Sequence, residues 1–72
     1  MAQSEEIENR MKTQFETHEK LASKGDTKSQ LFVSYLYQYA LGVQKDEEKA
    51  KHYCRISSDG GNIVARGRQY FL

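Results

Sequence analysis

Two short interruptions, Gly25-Asp26 and Gly61-Asn62, fall 36 residues apart in a chain of 72 that contains no proline. Each joins a residue at ease in left-handed backbone to a side chain that caps helix N-termini. A glycine stop followed at once by a fresh cap turns one helix back against the next. The same offset aligns Ser29 with Ala65, Tyr35 with Phe71 and Leu36 with Leu72. In a helical chain a period of about 34–40 residues points to stacked helix–turn–helix units.

The segments between the interruptions carry helical periodicity. Over 5–24, Ile7, Met11, Phe15, His18 and Leu21/Ala22 recur at steps of three and four, one apolar stripe on an amphipathic helix. Ser4 is placed to cap it, and Glu5, Glu6 and Glu8 suit its positive dipole end. A second helix is expected from Thr27, capped by Asp26. Ser29, Val33, Leu36, Tyr37 and Ala40 form one face, and Leu31, Tyr35 and Tyr39 lie to one side of it. A helix apolar on two sides needs two neighbours, or one neighbour and a ligand. After a loop over 41–45, Asp46 caps a third helix to about Asp59, with Ala50, Tyr53, Cys54 and Ser57 inward and Ile56 at the flank. Asn62 then opens a fourth segment, Ile63 to Leu72, in which Val64, Tyr70, Phe71 and Leu72 are the apolar positions.

Residues 25–72 resemble the Sel1-like repeats, relatives of the tetratricopeptide helical repeats. The resemblance is carried by Gly25-Asp26, Ser29-Gln30, Val33-Ser34 and Tyr37, then by Ala40, Gly42-Val43, Asp46, Ala50 and Tyr53. Gly42-Val43-x-x-Asp46-x-x-x-Ala50 is its most specific piece. Ser57-Ser58 stands where two alanines are usual, and Ser34 and Ala40 replace glycines. Gln44 stands where proline is common, and Gln69 takes the place of a leucine in the following unit. The resemblance implies an all-α fold, a short right-handed solenoid of antiparallel helix hairpins with about three and a half helices. One domain would cover 1–72: a degenerate leading helix at 5–24, a repeat at 25–60 and a partial repeat at 61–72.

Function classes narrow by chemistry. A chain this short buries only about 60% of the surface its unfolded form exposes, so oligomerisation or a partner commonly supplements the core. One cysteine excludes an internal disulfide framework and fits a reducing, cytoplasmic setting. The apolar run Leu31 to Leu41 falls short of the roughly 20 residues a membrane helix needs, and no membrane partner is expected. His52 and Cys54, two apart on a helix, point to different faces. His18 and Cys54 occupy equivalent repeat positions, yet two ligands do not make a zinc site. Cys54 reads as a buried filler, and Asp46, Glu47 and Glu48 as a cap and first-turn acids. Gly60-Gly61 lacks the lysine and hydroxyl of a phosphate loop. No reaction, cofactor or metal is implied.

The tyrosines are more informative. Tyr37 and Tyr53 fit packing positions, whereas Tyr35 and Tyr39 lie on a flank with Lys28 and Leu31. In hairpin stacks of the kind the resemblance implies, first helices line a concave surface that holds a partner segment. The expected partner-binding residues are therefore Lys28, Leu31, Tyr35, Gln38 and Tyr39, extended by Val64 and Phe71, and the expected partner is another protein. The plain alternative has Tyr35 and Tyr39 covering helix 5–24. Two other functions stand beside this one. Copies of the chain could pair through Tyr70, Phe71 and Leu72, or Arg55, Arg66 and Arg68 could contact nucleic acid, although a net charge of +1 gives no bulk attraction.

Overall fold

Four α-helices follow one another along the chain: α1 Ala2–Ser23, α2 Thr27–Gln38, α3 Glu47–Asp59 and α4 Ile63–Arg68, with a 3-10 turn at Gln69–Phe71. The computed structural model describes residues 2–71, with side chains described over 6–70. Among these residues the structure is all-helical, and contacts run α1 to α2, α2 to α3 and α3 to α4. None of the described helices is long and apolar enough to cross a membrane.

The two turns 36 residues apart have the same construction. Gly25 (φ +96) and Gly61 (φ +102) hold the left-handed position. In the first turn the Gly25 N–H donates to the Ala22 carbonyl at 3.1 Å and the Asp26 N–H to Leu21 at 3.2 Å. In the second, Gly61 donates to Ser58 at 3.0 Å and Asn62 to Ser57 at 3.1 Å. This paired closure satisfies carbonyls that the ending helix leaves free. Asp26 (φ −71, ψ 108) then accepts from the N–H groups of Lys28 and Ser29, and Asn62 (φ −75, ψ 111) from Val64 and Ala65. The helix pairs α1–α2 and α3–α4 are thus joined by one motif used twice.

Each helix runs back along its predecessor. Gln30 Nε2 donates to the Ala22 carbonyl at 3.1 Å near the first turn. Farther along, the His18 and Phe32 rings lie 4.3 Å apart, and Phe15 meets Tyr37 edge-on at 5.2 Å. Gly42, at φ +74, brings the loop after α2 against the α1 backbone at Met11 and Lys12. On the other side of α2, Ser34 Oγ donates to the Ala50 carbonyl at 2.7 Å and Ser57 Oγ to Thr27 at 2.6 Å. Ser29, Ser34, Ala50, Cys54, Ser57, Ser58 and Ala65 are all buried. Small side chains let helices approach closely, and of the hydroxyls that this buries those of Ser34 and Ser57 are satisfied by carbonyls of the facing helix, that of Ser29 by the Asp26 carboxylate.

The core has two parts. Ala22, Val33, Tyr37 and Ala50 form one, with Phe15, Val43 and Tyr53 against it. Leu31, Cys54 and Ala65 form the other, flanked by Tyr35.

Three expectations are corrected. Ser4 lies inside α1, which begins at Ala2, and so is not its cap. Ile7 and Leu21 are exposed, because the stripe that meets α2 is Phe15, His18 and Ala22, with Met11 half-buried where the following loop reaches α1 at Gly42. α2 stops at Gln38, and Ala40 lies beyond it in left-handed backbone at φ +56, where the Leu41 N–H reaches the Leu36 carbonyl at 2.9 Å. An L-residue in that conformation costs roughly 1–2 kcal/mol, part of which glycine recovers after its greater unfolded-state entropy is counted. Ala40→Gly is expected to stabilise the fold by about 0.5–1 kcal/mol, read as a rise of a few degrees in the thermal midpoint. An unchanged or lower midpoint would show that this turn carries no strain.

Candidate partner-binding ledge

α2 and α4 run the same way, each packed on α3, and meet through side chains: Leu31 shares a cluster with Cys54 and Ala65, and Tyr35 meets Arg68 one turn farther on. The Arg68 guanidinium carbon sits 4.0 Å above the centre of the Tyr35 ring, within cation–π range. Arg68 is half-buried, and its Nε and Nη2 are covered without a hydrogen-bond partner among the described residues. Tyr35 therefore packs towards α3 and α4 rather than over α1, which corrects the alternative that set it against the first helix.

The other expected site residues take different places. Leu31 is buried beneath Tyr35 in the second core cluster. Lys28 is exposed on the first turn of α2. Gln38 is half-buried, its Oε1 without a hydrogen-bond partner among the described residues, and Tyr39, 58% exposed, forms the C-cap of α2. Val64 projects from the start of α4 at 56% exposure. The side chain of Phe71, and Leu72 altogether, lie outside the described residues. The structure thus joins Leu31 and Tyr35 in one packed unit and leaves Lys28, Tyr39 and Val64 exposed around it. Arg68 was missed as a member of this surface. Its only sequence signal was a basic residue near the register of Tyr35 one repeat on, and charge alone does not show which ring it will cover.

Groups considered for chemistry have structural partners. Cys54 Sγ donates to the Ala65 carbonyl at 3.4 Å. Burial pushes its thiol above the ordinary value, with Arg68 pulling weakly the other way, so the reactive thiolate is disfavoured. His18 does not meet Cys54 but stacks on Phe32, and its Nδ1 lies 2.8 Å from the Gln14 carbonyl. Asp46 accepts from the Lys49 N–H at 3.0 Å as the cap of α3, and Glu47 pairs with Lys45 at 3.5 Å in the open. A shallow polar hollow of about 390 Å³ is lined by Glu48, Lys51, His52 and Arg55 of α3 with Gln69. It mixes charges of both signs, and all five of its lining residues are exposed. Arg55 thus lines this hollow, Arg66 is exposed on α4 and Arg68 covers Tyr35.

Compared with family models, curated proteins and solved structures, the chain shows no match in any of the three.

Proposed function

We propose that this chain is a Sel1-like helical-repeat module that binds another protein along the α2–α4 ledge, as a small adaptor, inhibitor or regulatory subunit. The repeat reading is supported by the two turns of identical construction 36 residues apart, at Gly25-Asp26 and Gly61-Asn62. It is supported too by the parallel approach of α2 and α4, the relation that first helices of successive units have in a right-handed stack.

The binding reading rests on one observation: an exposed tyrosine, Tyr39, stands one turn on from the packed Tyr35–Arg68 pair. Tyrosine offers a large contact area with few rotors to freeze, and arginine stacked on a ring is already ordered before a partner arrives. Little conformational freedom is then left to lose on binding.

Tyr39→Ala combined with Lys28→Ala tests the ledge without disturbing the packed platform beneath it. Both side chains are exposed, so the helical circular dichroism and thermal midpoint should stay close to wild type. Affinity capture from the host should lose the bound protein by tenfold or more, the scale set when an interface anchor of about 1.4 kcal/mol or larger is removed. Retention of the same protein by the double variant would place the binding surface elsewhere.

A further inference from the structure

We infer that the protein segment held on this ledge is acidic, its side-chain carboxylates meeting Lys28 and Arg68. The assignment rests on the ledge reading above and adds to it the charge of the occupant. Lys28, Phe32, Tyr35 and Tyr39 follow one another at steps of three and four, so they form a single stripe along α2. Phe32 and Tyr39 are 37% and 58% exposed, and Lys28 is exposed as well. The stripe is open although α2 is an interior helix. α1 borders it through His18, whose ring lies 4.3 Å from that of Phe32. α4 borders it through Arg68, 4.0 Å above Tyr35. α3 meets other faces of α2, at Thr27 and Ser34. The opening therefore lies between described helices, and nothing standing before α1 or after α4 creates it.

Charge around the stripe is of one sign at close range. Lys28 is the sole charged residue of Thr27–Gln38, and Ile63–Phe71 carries Arg66 and Arg68 with no acid. On α1 the residues three and four positions to either side of His18 are uncharged. Glu19 turns towards Tyr37 and Tyr53, and Glu16, two residues from His18, projects from the opposite side of α1. Asp26 is engaged as the cap of α2, its Oδ1 accepting from the Lys28 and Ser29 N–H groups and its Oδ2 from the Ser29 hydroxyl. Among the described residues no carboxylate lies within 4.0 Å of the Lys28 or Arg68 cation; Lys45 with Glu47 is the one ion pair.

Arg68 is the stronger anchor. It is half-buried, and its Nε and Nη2 are covered without a hydrogen-bond partner among the described residues. A partly buried cation without counter-charge is costly, and a carboxylate brought beside it recovers part of that cost. Lys28 and Tyr35, which carries Arg68, are seven residues apart, about 10 Å along the helix. An extended chain covers that length in roughly three residues. Two acids three residues apart, with an apolar side chain between them to lie against Phe32, therefore suit the stripe. A nucleic-acid strand suits it less, because phosphates need a row of cations and the stripe offers two on a chain of net charge +1.

The probe is a short peptide, blocked at both ends, with two glutamates three residues apart around a leucine; its glutamine and lysine counterparts are the comparisons. Titrated into isotope-labelled protein, the acidic peptide should bind with a dissociation constant of roughly 0.1–1 mM and move the amide signals of Lys28, Phe32, Tyr35 and Tyr39. The glutamine peptide should bind about tenfold more weakly, and salt at about 0.5 M should narrow the gap. Lys28→Glu with Arg68→Glu should turn the preference towards the lysine peptide. Should that variant lose its helical signal, Lys28→Glu alone should weaken the acidic peptide by about threefold. No binding of the acidic peptide at millimolar concentration overturns the inference, as does a single-stranded oligonucleotide that binds the stripe more tightly. Equal binding of the acidic and glutamine peptides, both lost in Tyr39→Ala, removes the acidic partner and leaves the ledge. Signals that move only around the hollow of α3 remove the ledge as well.

Discussion

Gly42→Ala is expected to remove a large part of this protein's stability. A Cβ at that position would lie 2.4 Å from the Met11 carbonyl oxygen, 2.5 Å from its carbon and 2.8 Å from the Lys12 nitrogen. All three are backbone atoms of α1, so no side-chain rotation relieves the collision. The residue also sits at φ +74, which an L-residue adopts at a cost of roughly 1–2 kcal/mol. Together these amount to about 3–5 kcal/mol, in the range reserved for exceptional point mutants. A domain of this length has roughly 4–11 kcal/mol in total. The thermal midpoint should fall by about 12 °C or more. Gly25→Ala is the control, because it shares the left-handed φ at +96 but has open space where the Cβ would go. It should lose only the conformational part. Equal losses in the two variants would mean that the loop does not rest on α1.

The second large effect is expected at Tyr37→Ala. This ring is 6% exposed, stacked on Tyr53 at 5.8 Å and edge-on to Phe15 at 5.2 Å. It is the side chain through which α1, α2 and α3 meet, so its loss opens a cavity touching three helices. Removing a buried aromatic costs about 3–5 kcal/mol, and urea unfolding would record it as a lower midpoint. Tyr37→Phe keeps both ring contacts and should stay within about 1 kcal/mol of wild type. The phenol itself adds a pH signature. Burial, and then the charge of Glu19, hold the Tyr37 phenol above its ordinary value of about 10, and burial does the same for Tyr53. As pH rises past that value the unfolded chain loses these protons while the native state still keeps them. The contribution is complete below it and fades as pH climbs through the folded-state values. Tyr37→Phe should flatten part of that alkaline decline.

Much of this architecture was legible because it is local. Asp26, Asp46 and Asn62 cap the helices that follow them, and Gly25 and Gly61 close those that precede, as the residue types alone require. Each of these devices acts within about five residues, a range at which composition determines geometry. Periodicity located faces but not neighbours. Tyr35 and Tyr39 share a row, yet one is packed under Arg68 and the other is 58% exposed, since α4 reaches only the first. Ile7 and Leu21 fit the stripe of α1 by spacing and are exposed, because α2 covers a narrower strip than the stripe spans. Spacing alone predicts one helical segment from Ile63 to Leu72, whereas among the described residues the α-helix ends at Arg68 and tightens into a 3-10 turn over Gln69–Phe71. Glycine at 67 lowers the helix propensity there.

The repeated turn also governs how the chain finds its shape. The turns at Gly25-Asp26 and Gly61-Asn62 are closed by hydrogen bonds spanning five residues or fewer, the α2–α3 loop adds one spanning nine, from the Asp46 N–H to the Tyr37 carbonyl, and the helices touch chiefly their neighbours in sequence. A topology of that kind has low contact order, so search is short and folding is fast for its stability. Either helix pair can form first, since both are built by the same local instructions. What neither pair can do alone is bury Val33, Ala50 and Cys54, which become solvent-free only when α2 closes on α3. The serine-lined seam between those two helices is thus the step at which two interchangeable beginnings become one cooperative molecule.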